Sequence, residues 1–202
     1  MITRERVESR AALRALKQPL FDTAIFDNAG VNRLNYFQAP QGNPIVAAGA
    51  FKSEVDTNLT QAGQLGRPQE FDLYGFNLEF TCDPDDAGAT IADLQLLYDA
   101  GVFEFFFGQQ RPWLQIPVQE IPNGAGWEGT VATANVGTEY FFAKNGIGDV
   151  HSYYVFTIGK KPIPIASAEN FTARVDFPQG AVTPSQDYRV RCFMKGVLYA
   201  AL

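Results

Sequence analysis

The stretch Phe71-Asp72-Leu73-Tyr74-Gly75-Phe76-Asn77-Leu78-Glu79-Phe80 decides the fold class. Phe71 and Leu73 alternate with Asp72 and Tyr74; beyond Gly75, Phe76, Leu78 and Phe80 alternate with Asn77 and Glu79. A period of two is the pattern of a half-buried strand. The apolar register slips by one residue at Gly75, and a glycine at such a slip predicts a β-bulge. A turn-rich run, Gln61 to Gln69, leads into this strand, and Asp83-Pro84-Asp85-Asp86 ends it.

Working outward, similar patterns recur. Val102 to Phe107 is strongly β-forming, and Phe171 to Phe177 alternates Phe171, Ala173, Val175 and Phe177 with polar residues. In Tyr188 to Tyr199, Tyr188, Val190, Cys192 and Met194 oppose Arg189, Arg191 and Lys195. Tyr153 to Ile158 and Ile163 to Ile165 add extended segments. Trp113 to Ile121 is extended too, but Pro112, Pro117 and Pro122 assign it to a sheet edge or an irregular strand. Leu20 to Phe26 and Arg33 to Phe37, joined by Asp27-Asn28-Ala29-Gly30, predict a hairpin. Residues 39–50 and 56–69 read as connections, and 127–149 as a loop with local structure.

Two helices are expected. One runs from about Thr90 to Asp99, with Ile91, Leu94, Leu97 and Tyr98 at helical spacing and Gly101 past its end. The other runs from Arg4 to Lys17, capped by Thr3 and stopped by Pro19, with Val7, Ala11 and Leu16 near one face. With eight or nine strands, no βαβ alternation and no internal repeat, the chain reads as all-β. The best fit is an antiparallel two-sheet β-sandwich of jelly-roll type, residues 20–202, preceded by a basic helical arm, residues 1–19.

At 202 residues the chain suits one domain with a full core, and 46% hydrophobic against 19% charged residues excludes a disordered chain. No apolar run approaches the roughly 18–20 residues that span a bilayer. Charge from Arg4 onward without an apolar segment predicts no secretory signal, hence synthesis in a reducing cytoplasm. Cys82 and Cys192 accordingly read as buried free thiols rather than a disulfide. The net charge is −6, yet the first twenty residues hold Arg4, Arg6, Arg10, Arg14 and Lys17 against only Glu5 and Glu8. A basic end on an acidic body fits either an anionic partner, nucleic acid or lipid headgroups, or a solvated helix.

Catalytic patterns are weak throughout. His151 is the only histidine, which removes most metal and triad chemistry, and Asp149 nearby has no serine in a nucleophile-elbow setting. Asp83, Asp85 and Asp86 begin like a calcium loop, but Leu94 stands where an EF-hand needs its bidentate glutamate. Asp93, Asp99 and Glu104 lack a spacing that demands paired-carboxylate catalysis. Gly159-Lys160-Lys161 lacks the rest of a phosphate-binding loop. Asn58-Leu59-Thr60 and Asn170-Phe171-Thr172 match glycosylation sequons by chance in a chain read as unsecreted. Trp113 and Trp127 flank proline- and glycine-rich loops, where an indole can stack on a sugar, sit in a subunit contact or join the core. No cofactor, metal or catalytic residue is assigned, and the chain reads as no enzyme.

Three segments together resemble the small single jelly-roll major capsid proteins of bacterial viruses. They are Thr57 to Phe76, Phe105 to Val118 with Ile121-Pro122-Asn123-Gly124-Ala125-Gly126, and Ile163 to Pro178. The resemblance implies a structural virion protein that self-assembles through multimeric capsomers into an icosahedral shell around the viral genome. Its partners would be copies of itself and other capsid proteins. Arg4, Arg6, Arg10, Arg14 and Lys17 would form an inward-facing arm toward genome or an internal membrane, and Trp113, Pro117 and Trp127 would lie in subunit-contact loops. The other reading is a carbohydrate- or receptor-binding β-sandwich, lectin-like or a phage spike protein, resting on Trp113, Trp127 and the tyrosines.

Overall fold

In the computed structural model, the central strand pair is β12 (Tyr188–Ala200) against β4 (Glu70–Thr81). The described residues are 13–45, 50–81, 91–108, 111–122, 128–132, 140–144, 153–155 and 161–201. β12 carries β4 along one side; along the other it carries β2 (Leu20–Phe26) and, further on, β1 (Arg14–Leu16). The far side of β4 takes β10 (Ile163–Ile165) and β9 (Tyr154–Val155). A second sheet runs β3 (Arg33–Tyr36), β11 (Phe171–Asp176), β5 (Val102–Phe107), β6 (Leu114–Pro117). β7 (Glu128–Ala132) and β8 (Tyr140–Lys144) form a separate two-stranded ladder within the stretch read as loop. Every pairing is antiparallel.

The two large sheets face each other across aromatic side chains. Phe76 of β4 lies 5.0 Å from the Phe103 ring and 4.9 Å from the Phe105 ring, both on β5. Phe26 of β2 meets Phe177, just past β11, at 5.7 Å between centroids, and on the second sheet's own side Phe37 meets Phe171 at the same distance. Each fully buried phenylalanine contributes about 1.5–3 kcal/mol by leaving water, so this seam dominates the core. The alternation read in the sequence holds: Phe171, Ala173 and Val175 are buried on β11, as are Tyr188, Val190, Cys192 and Met194 on β12. The chain is therefore an all-β protein of two packed antiparallel sheets.

The bulge falls where the glycine predicts it. Lys195 pairs with Gly75 but Gly196 pairs with Leu73, leaving Tyr74 as the extra residue of β4. A Cβ on Gly75 would sit 2.0 Å from the Tyr154 carbonyl oxygen of β9, and one on Gly196 would sit 2.2 Å from that of Asp72. Both glycines are set by close backbone approach. Burial of Asp72 and Asn77 shows that β4 is covered on both faces rather than half-buried.

The internal helix, α1 (Ile91–Ala100), lies where its spacing places it, with Leu97 in the core and the Gly101 N–H bonded to the Leu97 carbonyl at 3.2 Å.

Two expectations fail. Of the helix read over Arg4–Lys17, residues Arg14 to Leu16 form a strand, pairing Arg14 with Ala200 and Leu16 with Leu198. The open backbone edge of β12 and the packing of Leu16 against the core outweigh local propensities worth a few tenths of a kcal/mol each. Residues 1–12 lie outside the described part. The hairpin over Leu20–Phe37 is also not formed: β2 belongs to the first sheet and β3 to the second. The turn itself exists, with the Gly30 N–H on the Asp27 carbonyl at 3.1 Å and Gly30 at φ 97°. Beyond it, Val31 exchanges two backbone bonds with Val182, which carries the chain across to the other sheet.

Candidate functional site

On β2, Leu20, Asp22, Ala24 and Phe26 alternate toward the core, so a carboxylate enters a row that is otherwise apolar. Asp22 is fully buried, and its Oδ1 accepts the Lys52 ammonium at 2.6 Å, itself 5% exposed. Its Oδ2 accepts the Phe37 N–H at 2.6 Å. Phe37 stands at φ 65°, a left-handed conformation unusual for a bulky residue, and the Asp22 carboxylate holds it there. Burial pushes the Asp22 carboxyl above its ordinary range, with the Lys52 charge pulling the other way. Buried ion pairs behave so when attraction does not fully offset desolvation.

Two further groups share this environment. Cys192 stands opposite Asp22 in the β2–β12 ladder, and burial, then the Asp22 charge, push its thiol well above the usual range. Tyr36 is wholly buried, its hydroxyl has no hydrogen-bond partner among the described residues, and burial likewise raises its phenol.

The segment around Lys52 is laced to β2 at several points. Asp22 and Thr57 form a backbone bridge, and the Thr57 hydroxyl donates to the Phe21 carbonyl at 3.0 Å. Thr23 donates to the Asp56 carbonyl at 2.8 Å; the Asp56 carboxylate accepts the Ser53 N–H at 3.0 Å and Arg189 at 2.8 Å. Asn58 accepts the Phe21 N–H at 2.9 Å and donates to the Pro19 carbonyl at 2.8 Å, so its amide is a structural strut rather than a sugar acceptor. The arrangement covers the outer edge of β2, which would otherwise present unpaired backbone. The Ser53 hydroxyl donates to the same Asp56 carboxylate at 2.9 Å and braces the turn there. The arrangement is a clamp that fixes residues 50–59 to the sandwich, leaving Phe51 and Val55 pointing outward, 64% and 66% exposed.

The acids considered for catalysis are dispersed, each with its own partners. Asp93 accepts the Ser185 N–H and hydroxyl and the Tyr188 hydroxyl, Glu104 takes Arg174 and Gln115, and Asp99 takes Gln119. Among the described residues no group of three His, Cys, Asp or Glu side chains converges as a metal site would require. Arg14 and Lys17 are exposed on and just after β1. Trp113, 47% exposed, and the exposed Pro117 flank and end β6, the outermost strand of the second sheet. Arg4, Arg6, Arg10, Cys82, Asp83, Asp85, Asp86, Trp127, Asp149 and His151 lie outside the described residues.

The sequence did carry one unread signal for the clamp: Asp22 is a lone charge at an inward position of an alternating strand. Its partner, thirty residues on in a connection, had none. Comparisons with protein-family models, with curated proteins and with solved structures each return no match for this chain.

Proposed function

We propose that the chain is a jelly-roll major capsid protein of a bacterial virus. One observation carries the reading: the strand order β2–β12–β4–β10 faces β3–β11–β5–β6. Successive strands pass between the sheets, β2 to β3, β3 to β4, β4 to β5, β10 to β11 and β11 to β12, as in an eight-stranded roll of two Greek keys. The resemblance of Thr57–Phe76, Phe105–Val118 and Ile163–Pro178 to such proteins points the same way. So does a described structure in which the polar groups serve as clamps. Its partners are copies of itself and other capsid proteins, in a shell enclosing the viral genome; the basic residues before β2 face genome, a membrane or a neighbouring subunit.

The test is direct. Purified protein, followed by sedimentation and negative-stain microscopy across salt, pH and concentration, is expected to form capsomers or closed particles. A chain that stays monomeric at high concentration under all these conditions overturns the reading.

A further inference from the structure

Residues 42–52 fold back on themselves as a hairpin. The Gly42 N–H bonds the Lys52 carbonyl at 2.9 Å, the Lys52 N–H bonds the Asn43 carbonyl at 2.8 Å, and the Ile45 N–H bonds the Ala50 carbonyl at 2.8 Å. At the foot of the hairpin Lys52 is sunk into the core on Asp22, and Asp56 just beyond is tied to Ser53 and Arg189. Away from the foot Pro44, Ala50 and Phe51 are exposed, Phe51 to 64%; Val55, beside the foot, is 66% exposed. No side chain from Pro44 to Phe51 carries a charge or a hydrogen-bonding group. The four residues that join the arms lie outside the described part and are Val46, Ala47, Ala48 and Gly49. Exposed apolar side chains grouped on a firmly anchored element mark a contact surface.

The backbone narrows what that contact is made with. Between the Ile45–Ala50 and Lys52–Asn43 bonds, Pro44 and Phe51 form an antiparallel bridge. Residues at such a position turn their own N–H and C=O groups away from the partner arm. Pro44 has no N–H to turn outward, so a strand of another protein cannot pair fully with that edge. The same lack leaves the hairpin one unsatisfied donor fewer in an apolar medium. The exposed apolar side chains are also too few for a stable protein–protein contact, which takes roughly 800 Å² from each partner. At about 3.3 Å per residue, the arms at 43–45 and 50–52 reach roughly 10 Å, the depth to which apolar faces enter a bilayer interface. Exposed Glu54 and Arg189, at the foot, are of opposite sign, so the surface does not select anionic headgroups.

We propose that this hairpin inserts Phe51, with Pro44 and Val55, into the interfacial layer of a lipid bilayer. The contact is shallow and does not span the membrane. It is driven by apolar burial and needs no anionic lipid, in contrast to a contact made by the basic residues before β2. It does not depend on the capsid reading and holds whether or not the chain assembles.

Flotation of the full chain with phosphatidylcholine vesicles tests it. Wild type is expected to float with the vesicles equally in low and high salt. Phe51→Ser/Val55→Ser is expected to lower the partition coefficient by roughly tenfold or more, while its melting temperature is unchanged because both side chains are exposed. Phe51→Trp is expected to add a blue-shifted emission on vesicle addition, beyond that of wild type, and to be quenched by lipids brominated high in the acyl chain. No flotation of wild type, equal flotation of Phe51→Ser/Val55→Ser, or flotation that requires phosphatidylserine and disappears in high salt overturns the inference. A Phe51→Ser/Val55→Ser chain that floats like wild type but loses self-association puts the hairpin against protein, and overturns it too.

Discussion

Lys52 and Asp22 meet at 2.6 Å with side chains 5% and 0% exposed, whereas Arg33 and Asp176 meet at 2.9 Å with 44% and 27% exposed. The first pair lies inside, against the first sheet; the second lies on the outer face of the second sheet, where Arg174 also pairs with Glu104 and covers the Phe106 ring at 4.6 Å. Contact distances alone would rank the pairs as equals. Their carboxyls shift in opposite directions: hydrogen bonding and charge from Arg33 hold Asp176 below the ordinary range, while burial lifts Asp22 above it. Solvent makes the difference. The first sheet also carries the bulge and the two tightly approached glycines, while the β11–β5 ladder of the second runs unbroken over six residue pairs. Strand irregularity is thus concentrated on one side of the sandwich, while buried carboxylates occur on both, Glu104 of β5 being 5% exposed.

That asymmetry can be broken in graded steps. The largest effect is expected from Gly75→Val: its Cβ would overlap the Tyr154 carbonyl, and the variant should lack a cooperative thermal transition. Normal unfolding of that variant would show that β9 yields freely. Next, Asp22→Asn strands the Lys52 ammonium in the core and should cost about 3–5 kcal/mol by urea unfolding. The double variant Asp22→Leu/Lys52→Met removes both charges and should regain most of that loss; if it is as unstable as the single variant, the clamp is more than an ion pair. Arg33→Ala, on the exposed pair, should cost no more than about 1 kcal/mol, less in high salt.

The smallest effect is the pH dependence, read by carboxyl NMR shifts. Asp176, lowered in the fold, contributes stability above the unfolded value of 3.8 that is lost as pH falls through its folded pKa. Asp22, raised in the fold, does the reverse: its contribution is present below 3.8 and is lost as pH rises through its folded value. Titration of both on the same side of 3.8 would erase the contrast.

Strands with one strict period were legible in the sequence. β11 and β12 lie where alternation puts them and β5 where its aromatic run does, and Gly75 marks the bulge because only a glycine tolerates the backbone of β9 so near. What failed depended on distant residues. Asn28-Ala29-Gly30 serves a hairpin or an arch equally; the choice is made by Val182, which takes Val31, and by Asp187, which accepts the Asn28 N–H at 2.8 Å. Arg14–Leu16 has helix-forming residues but an available strand edge. Lys52 became half of the site only because Asp22, on another element, faces inward.

The placement of β12 bears on how the chain is made. It follows every other described strand, yet it is the middle of its sheet, and β1, β2 and one side of β4 depend on it for partners. While the ribosome is still translating residues before Tyr188, β2 and β4 expose apolar rows with no ladder between them. Such non-local closure is slow and leaves strand edges open to wrong partners. Loss of Tyr188–Ala200 alone should therefore prevent the whole sandwich from folding, even though it removes only 13 residues.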